Sequence, residues 1–313
     1  MIGTTALEPF LAALLAGALV AAAPLLLAAL GEAVGQRAGL LNLGIEGTML
    51  CGAFFGFVVA LATGSVLAGM AAGLAVGLLL GALFGLLAIG LGLDQILLGL
   101  AITIAGGGLT AFLYRDIFGR QNPAAAVRPL VLPLGPIEGL PVVGLALADR
   151  PLLLWGAYAL TPVFAFVLAR SRFGLHLRAV GEAPAAADAA GVDVARVRLA
   201  AALTGGAMTG LAGAFLSVVD LKLFQPGMTV GTGFIALALA MVGAWRPGRI
   251  LLAAVSFGLL RALANGIQIL GIDVRPEFVT MLPYVGTMAA LVLLARSTRL
   301  PAALGVPYTR GQR

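Results

Sequence analysis

The sequence predicts an all-α, polytopic integral membrane protein of about nine transmembrane helices, and three observations carry that reading. Of its 313 residues, 61% are hydrophobic and only 10% charged, with a mean hydropathy of +1.09; a soluble domain needs about a quarter of its residues charged to cover its surface. The apolar runs are about 20 residues long, which at about 1.5 Å per residue matches a hydrocarbon core of about 30 Å. Barrel strands would instead appear as short alternating segments. The basic residues gather between the runs, so topology rather than nucleic-acid binding accounts for the net charge of +6.

Residues 9–30 form the first span, which also serves as the targeting signal, because the N-terminus lacks the basic region of a cleavable leader. Residues 31–47 then bring Glu32, Arg37, Asn42, Glu46 and five glycines, which makes this interval either a turn or a broken helix. A second span ends near Ala62. The third, residues 66–91, carries Gly69, Gly73, Gly77, Gly81 and Gly85, a spacing of four that lines one helix face and predicts close helix packing. The fourth covers 96–113, with Gly106, Gly107 and Gly108 expected to loosen it. Five prolines between Tyr114 and Arg150 predict extended or turning chain. Residues 151–169 form the fifth span and 200–219 the sixth. A short seventh span covers 228–244, followed by the basic turn WRPGR, an eighth span at 250–270 and a ninth at 278–295.

Between the fifth and sixth spans, residues 170–199 form a long charged interval between two apolar blocks that can both span a bilayer. It holds Arg170, Arg172, Arg178, Arg196 and Arg198, with Glu182, Asp188 and Asp193. Its small-residue run predicts a short helix closed by Gly191, suited to a groove on another protein. Placing this interval in the cytoplasm puts the C-terminus inside and the N-terminus outside. Twelve of the 18 arginines and one lysine then lie in inner loops and six in outer ones, as the positive-inside rule requires.

Arg261, Asn265 and Gln268 fall at i, i+4 and i+7 of the eighth span, so they share one face. An arginine at mid-membrane costs about 2.5–3.5 kcal/mol on the insertion scale, so this face must look into the bundle or a wet cavity. It either lines a pathway or pairs internally, with Glu46 or Asp94 as partners. Asn42 and Glu46, also four apart, form a second pathway candidate if 41–47 is helical. Cys51 is the single cysteine and sits in an apolar run, which excludes an intrachain disulfide and argues against a metal site. His176 reads as a solvated loop residue. A nucleotide-binding loop of the form GxxxxGK[ST] needs a lysine, and the one lysine, Lys222, stands in LKLFQPG. ATP hydrolysis is therefore excluded from this chain, no catalytic residue or cofactor is expected, and few acids lie within the spans to support ion coupling.

Four blocks, GEAVGQRAGLLNLGIEGTMLCGAF, LDQILLGLAITIAGGGLTAFLYRDIFG, the stretch 172–217 and GTGFIALALAMVGAWRPGRILLAA, resemble in order the permease subunits of bacterial ATP-binding-cassette (ABC) importers. The likeness runs from about residue 22 to 270 and is nearest to the simple-sugar and nucleoside branch, within the group that includes ribose and branched-chain amino-acid permeases. It implies a single transmembrane permease domain over 1–313 in the bacterial inner membrane. It further implies an ABC ATPase subunit, a second permease that is a sister or identical copy, and an extracytoplasmic binding lipoprotein that delivers a nucleoside or simple sugar. Gly181, Glu182, Ala183, Asp188 and Gly191 fall where such permeases carry the ATPase coupling loop. The alternative reading is an ion-coupled secondary transporter or channel for a small polar solute.

Overall fold

The computed structural model describes residues 4–124, 130–131, 142–269, 275–295 and 299–309, and within these the regular structure is helical. Helix α1 (Thr4–Arg37) is followed by α2 (Ile45–Thr63), α3 (Val66–Gly85) with a π-helical end at Leu86–Gly90, and α4 (Gln95–Phe118). A one-turn helix α5 (Val143–Leu147) precedes α6 (Leu152–Arg170). Helices α7 (Arg172–Glu182) and α8 (Pro184–Ala189) lead into α9 (Val194–Ala214), which ends in a second π-helical stretch, Phe215–Asp220. The last three are α10 (Thr232–Val242), α11 (Pro247–Ile269) and α12 (Pro276–Ala295). Each expected span has a helix within it, and among the described residues seven helices are long and apolar enough to cross a membrane.

Small residues draw the centre together. The glycine face of α3 lies on α9: a Cβ at Gly81 would sit 2.5 Å from the Ala202 carbonyl oxygen, and one at Gly77 would strike the Gly206 carbonyl. Gly69 faces α2, where a Cβ would come within 2.7 Å of the Gly56 oxygen. Gly85 approaches the Leu199 and Ala202 side chains of α9. Backbones that meet this closely gain van der Waals contact that lipid does not offer them. Gly106 is part of the same scheme. It lets α4 pass the Gly47 backbone of α2, and α4 runs unbroken through Gly106–Gly108 instead of loosening there.

Helix α1, about 51 Å long by its rise per residue, is the post on which the rest is hung. Its middle, from Ala22 to Leu30, is buried against α9, α10 and α11, and the Tyr158 hydroxyl of α6 donates to its Leu19 carbonyl at 2.9 Å. The interval 31–47 resolves into two parts. The helix continues to Arg37 because its polar residues find partners inside: Gln36 donates to Glu32 at 3.2 Å, and the Trp245 indole donates to Gln36 at 2.7 Å. Residues 38–44 then run as non-helical chain along α4. Leu41 N–H donates to the buried Gln95 amide oxygen, the Thr103 hydroxyl donates to the Leu43 carbonyl, and Gly99 makes room for Leu43 and Gly44. Non-helical backbone is tolerated at membrane depth where protein covers it and satisfies its polar groups.

Three expectations are corrected. The interval 170–199 is mostly helical rather than a loop, with His176 on α7, because Ser171 and Asp193 each accept a backbone N–H as N-caps. Gly191, at φ +86°, provides the left-handed stop beyond α8. The seventh span is only the eleven residues of α10; residues 228–231 are irregular, with Val230 and Gly231 at positive φ. Finally, Asn42 is not helical and does not share a face with Glu46.

Candidate functional site

The break before α10 organises the site. After the π-helical end of α9 the chain turns inward, and Phe224, fully buried, wedges between Phe54 and Tyr114 at ring separations of 5.1 and 5.6 Å. Five residues on, the buried Glu46 carboxylate takes hold of the chain. It accepts the Thr229 hydroxyl at 2.6 Å, the Gly231 N–H at 2.8 Å and the Gly233 N–H at 2.7 Å. The last two belong to the N-terminal end of α10, whose unpaired amides and dipole favour a negative charge. Gly233 is required there, since a Cβ would lie 2.7 Å from Glu46 Cα. Helix α10 is thus a half-length helix whose positive end is closed by an internal carboxylate.

Beside this clasp lies a cavity of about 420 Å3, walled by Thr229, Val230 and Thr232 before and at the start of α10, Phe257, Arg261 and Asn265 of α11, and Pro283 and Tyr284 of α12. Arg261 and Asn265 are therefore brought together on its wall, and Asn265 is exposed. Among the described residues Arg261 makes no ion pair with Glu46, which is engaged by the clasp, nor with Asp94, which caps α4 by accepting from Ile96 and Leu97. Asp220, at the end of the π-helical stretch, lies within electrostatic range of Arg261. Gln268 lies on α11, with its side chain outside the described residues. Asn42 is not on the cavity wall; its side chain accepts from Gly44 N–H at 2.8 Å and shapes the turn into α2. Glu46 stands behind the wall and positions Thr229 and Thr232. That role escaped sequence reasoning because its partners are backbone amides more than 180 residues away.

At the other end of the molecule, the expected coupling residues surround helix α8. Glu182, Ala183 and Gly191 are exposed. Gly181 is buried, and its missing side chain lets α7 rest on the Arg37 carbonyl. Asp188 accepts the Tyr308 hydroxyl at 3.2 Å. The C-terminal segment threads across this region: Ala303 N–H donates to Gly181 and Gly305 N–H to Gly39, both at 2.9 Å. Arg198, 2% exposed, donates to Ala38 at 3.1 Å and to Val306 at 3.0 Å. Among the described residues no cluster of His, Cys, Asp or Glu has the form of a metal site.

The family described as branched-chain amino acid transport system, permease component, matches residues 14–295. The chain belongs to this permease family. TsgC13 of Haloferax volcanii, a permease protein named for a glucose ABC transporter, is 39% identical, covering 96% of this permease and 98% of its own length. The guanosine ABC transporter permease protein NupQ of Bacillus subtilis is 34% identical, with 94% and 96% covered. The nucleoside ABC transporter permease protein NupC of Lactococcus lactis is 33% identical, with 96% and 97% covered. Each of these organisms also contributes a second, more distantly similar permease. The permease is accordingly a multi-pass cell-membrane subunit of an ABC importer, which sets aside the ion-coupled transporter or channel. Its relatives are transport components, not enzymes.

Proposed function

We propose that this permease, acting over its whole length as one transmembrane domain, forms half of the route by which a neutral, hydroxyl-rich solute, a nucleoside or simple sugar, enters the cell. The observation that carries this reading is the cavity beside α10, walled by Arg261, Asn265 and the Thr229–Thr232 segment. Half-helix N-termini at mid-membrane commonly receive the anionic group of a substrate. Here Glu46 already occupies that position, which disfavours an amino-acid carboxylate. What remains is an arginine with five donors, an amide with donors and acceptors, and hydroxyls, a set suited to ribose or sugar hydroxyls and base edges. The names of the relatives point the same way.

In this reading the second permease is a sister chain, as the paired relatives suggest. A separate ABC ATPase docks on α7 and α8 through the exposed Glu182–Gly191 surface, and an extracytoplasmic lipoprotein delivers the solute. The N-terminus is outside and the C-terminus in the cytoplasm. The experiment is uptake of labelled guanosine, glucose and leucine by cells expressing the transporter, with Asn265→Leu as the variant. The variant should take up the nucleoside or sugar about 5- to 150-fold more slowly, the equivalent of one buried hydrogen bond, with unchanged protein in the membrane. Uptake of leucine alone, or full activity of the variant, would overturn the reading.

A further inference from the structure

A second cavity, of about 660 Å3, lies against the same three helices. The two are stacked in one order on every helix. On α10 the first reaches Thr232 and Ile235, the second Leu239 and Val242. On α11 the first takes Phe257 to Asn265 and the second Arg249 to Leu260, overlapping by one turn, and on antiparallel α12 the order reverses, Pro283 and Tyr284 against Gly286 to Ala290. From Arg249 to Asn265 is about 24 Å of helix, most of a hydrocarbon core. The second cavity lies toward the coupling helices, because Trp245, beyond the end of α10, bonds Gln36 next to Arg37, on whose carbonyl Gly181 rests.

One residue, Phe257, belongs to both walls. It is 5% exposed and meets the Tyr284 ring edge-on, with centroids 6.3 Å apart and planes at 86°. The pair lies between two chambers that hold polar groups at either end: Thr229, Thr232, Arg261 and Asn265 in the first, Arg249, Ser256 and Thr287 in the second. A solute-sized chamber falls in the range of about 300–1,000 Å3, and each of the two does so.

We infer that Phe257 and Tyr284 form the gate of the route, separating an outer chamber from an inner one, and that Phe257 must turn away from Tyr284 for solute to pass. This rests on the proposed route, and the test separates the two. In a Cys51→Ala background, Asn265→Cys marks the outer chamber, with Ser256→Cys and Thr287→Cys marking the inner. Right-side-out and inside-out vesicles containing the assembled transporter are treated, without ATP, with a membrane-impermeant methanethiosulfonate reagent. Each position should react from its own side at least tenfold faster than from the other. Adding Phe257→Ala, or the milder Phe257→Leu, should erase most of that difference, while Tyr284→Phe, which keeps the ring, should preserve it. If none of the three positions reacts from either side in any nucleotide state, the route itself is wrong. If they react with the expected sidedness but both Phe257 variants leave it unchanged, the route stands and the gate is elsewhere.

Discussion

A carboxylate at membrane depth is stable only when donors surround it, and Glu46 shows how completely one side chain can specify a local structure. Its three hydrogen bonds convert an apolar run that reads as a continuous span into an irregular segment and a half-helix. Glu46→Gln turns one acceptor into a donor facing an amide or hydroxyl, so at least one bond is lost and a buried group left unpaired, at about 1–3 kcal/mol. Transport should fall strongly and detergent-solubilised Glu46→Gln should melt several degrees below wild type; a melting temperature within a degree would mean the clasp is dispensable. Glu182 gives the contrasting case. It is exposed on the surface assigned to the ATPase, so Glu182→Lys should leave folding intact and lower solute-stimulated ATP hydrolysis. Asp188→Lys is a poorer probe, since it also breaks the bond from Tyr308. Arg261 and Asn265 were legible as a polar face because an arginine in a span is conspicuous. The role of Glu46 was not, because nothing in a sequence says which backbone amides a carboxylate will meet.

At the scale of elements, hydropathy sufficed to find the helices, seven of which among the described residues are long and apolar enough to cross a membrane, since the requirement that lipid imposes is one of length and composition. Where the spans begin and stop was less legible. Helix α1 outlasts its apolar run by seven residues because Glu32 and Gln36 are satisfied internally, and α10 is shortened by a contact from α2. Glycine spacing was the most informative pattern, as a repeat of four on a helix leaves few roles other than close approach. The face from Gly69 to Gly85 is tested by comparing Gly77→Ala with Gly77→Leu. A Cβ already collides with the Gly206 carbonyl, so alanine should weaken assembly and leucine should reduce membrane-inserted protein at least several-fold more. Equal yields of all three forms would show that α3 and α9 separate at no cost. The fourth span carried the opposite lesson. Three consecutive glycines suggested a loose helix, yet α4 is unbroken because Gly106 is spent on contact with α2 and the bilayer leaves the backbone no partner but its own helix.

At the scale of the molecule, the C-terminal segment joins parts that the sequence gives no reason to associate. It bonds Gly181 at the end of α7, Gly39 in the linker after α1, Arg198 near the start of α9 and Asp188 in α8. Arg198 ties the same regions from the other side through Ala38 and Val306. The two helices assigned to the ATPase are thus fastened to the linker that leads, eight residues on, to Glu46 and the half-helix beside the route. If an ATPase stroke moves α7 and α8, these bonds are a direct mechanical connection from docking surface to cavity, and loosening them should separate hydrolysis from import. Tyr308→Phe removes one hydrogen bond, about 0.5–1.5 kcal/mol, and should have a small effect. Arg198→Leu strands the carbonyl of the buried Ala38, at about 1–3 kcal/mol, and also loses the bond to Val306, so it should act more strongly. Truncation after Leu300 removes the segment's bonds to Gly181, Gly39, Arg198 and Asp188 together. In proteoliposomes containing the complete transporter, ATP hydrolysed per labelled solute imported should rise in that order while the amount of assembled complex stays constant. A ratio that stays at the wild-type value after truncation would make the segment a structural cover with no part in coupling.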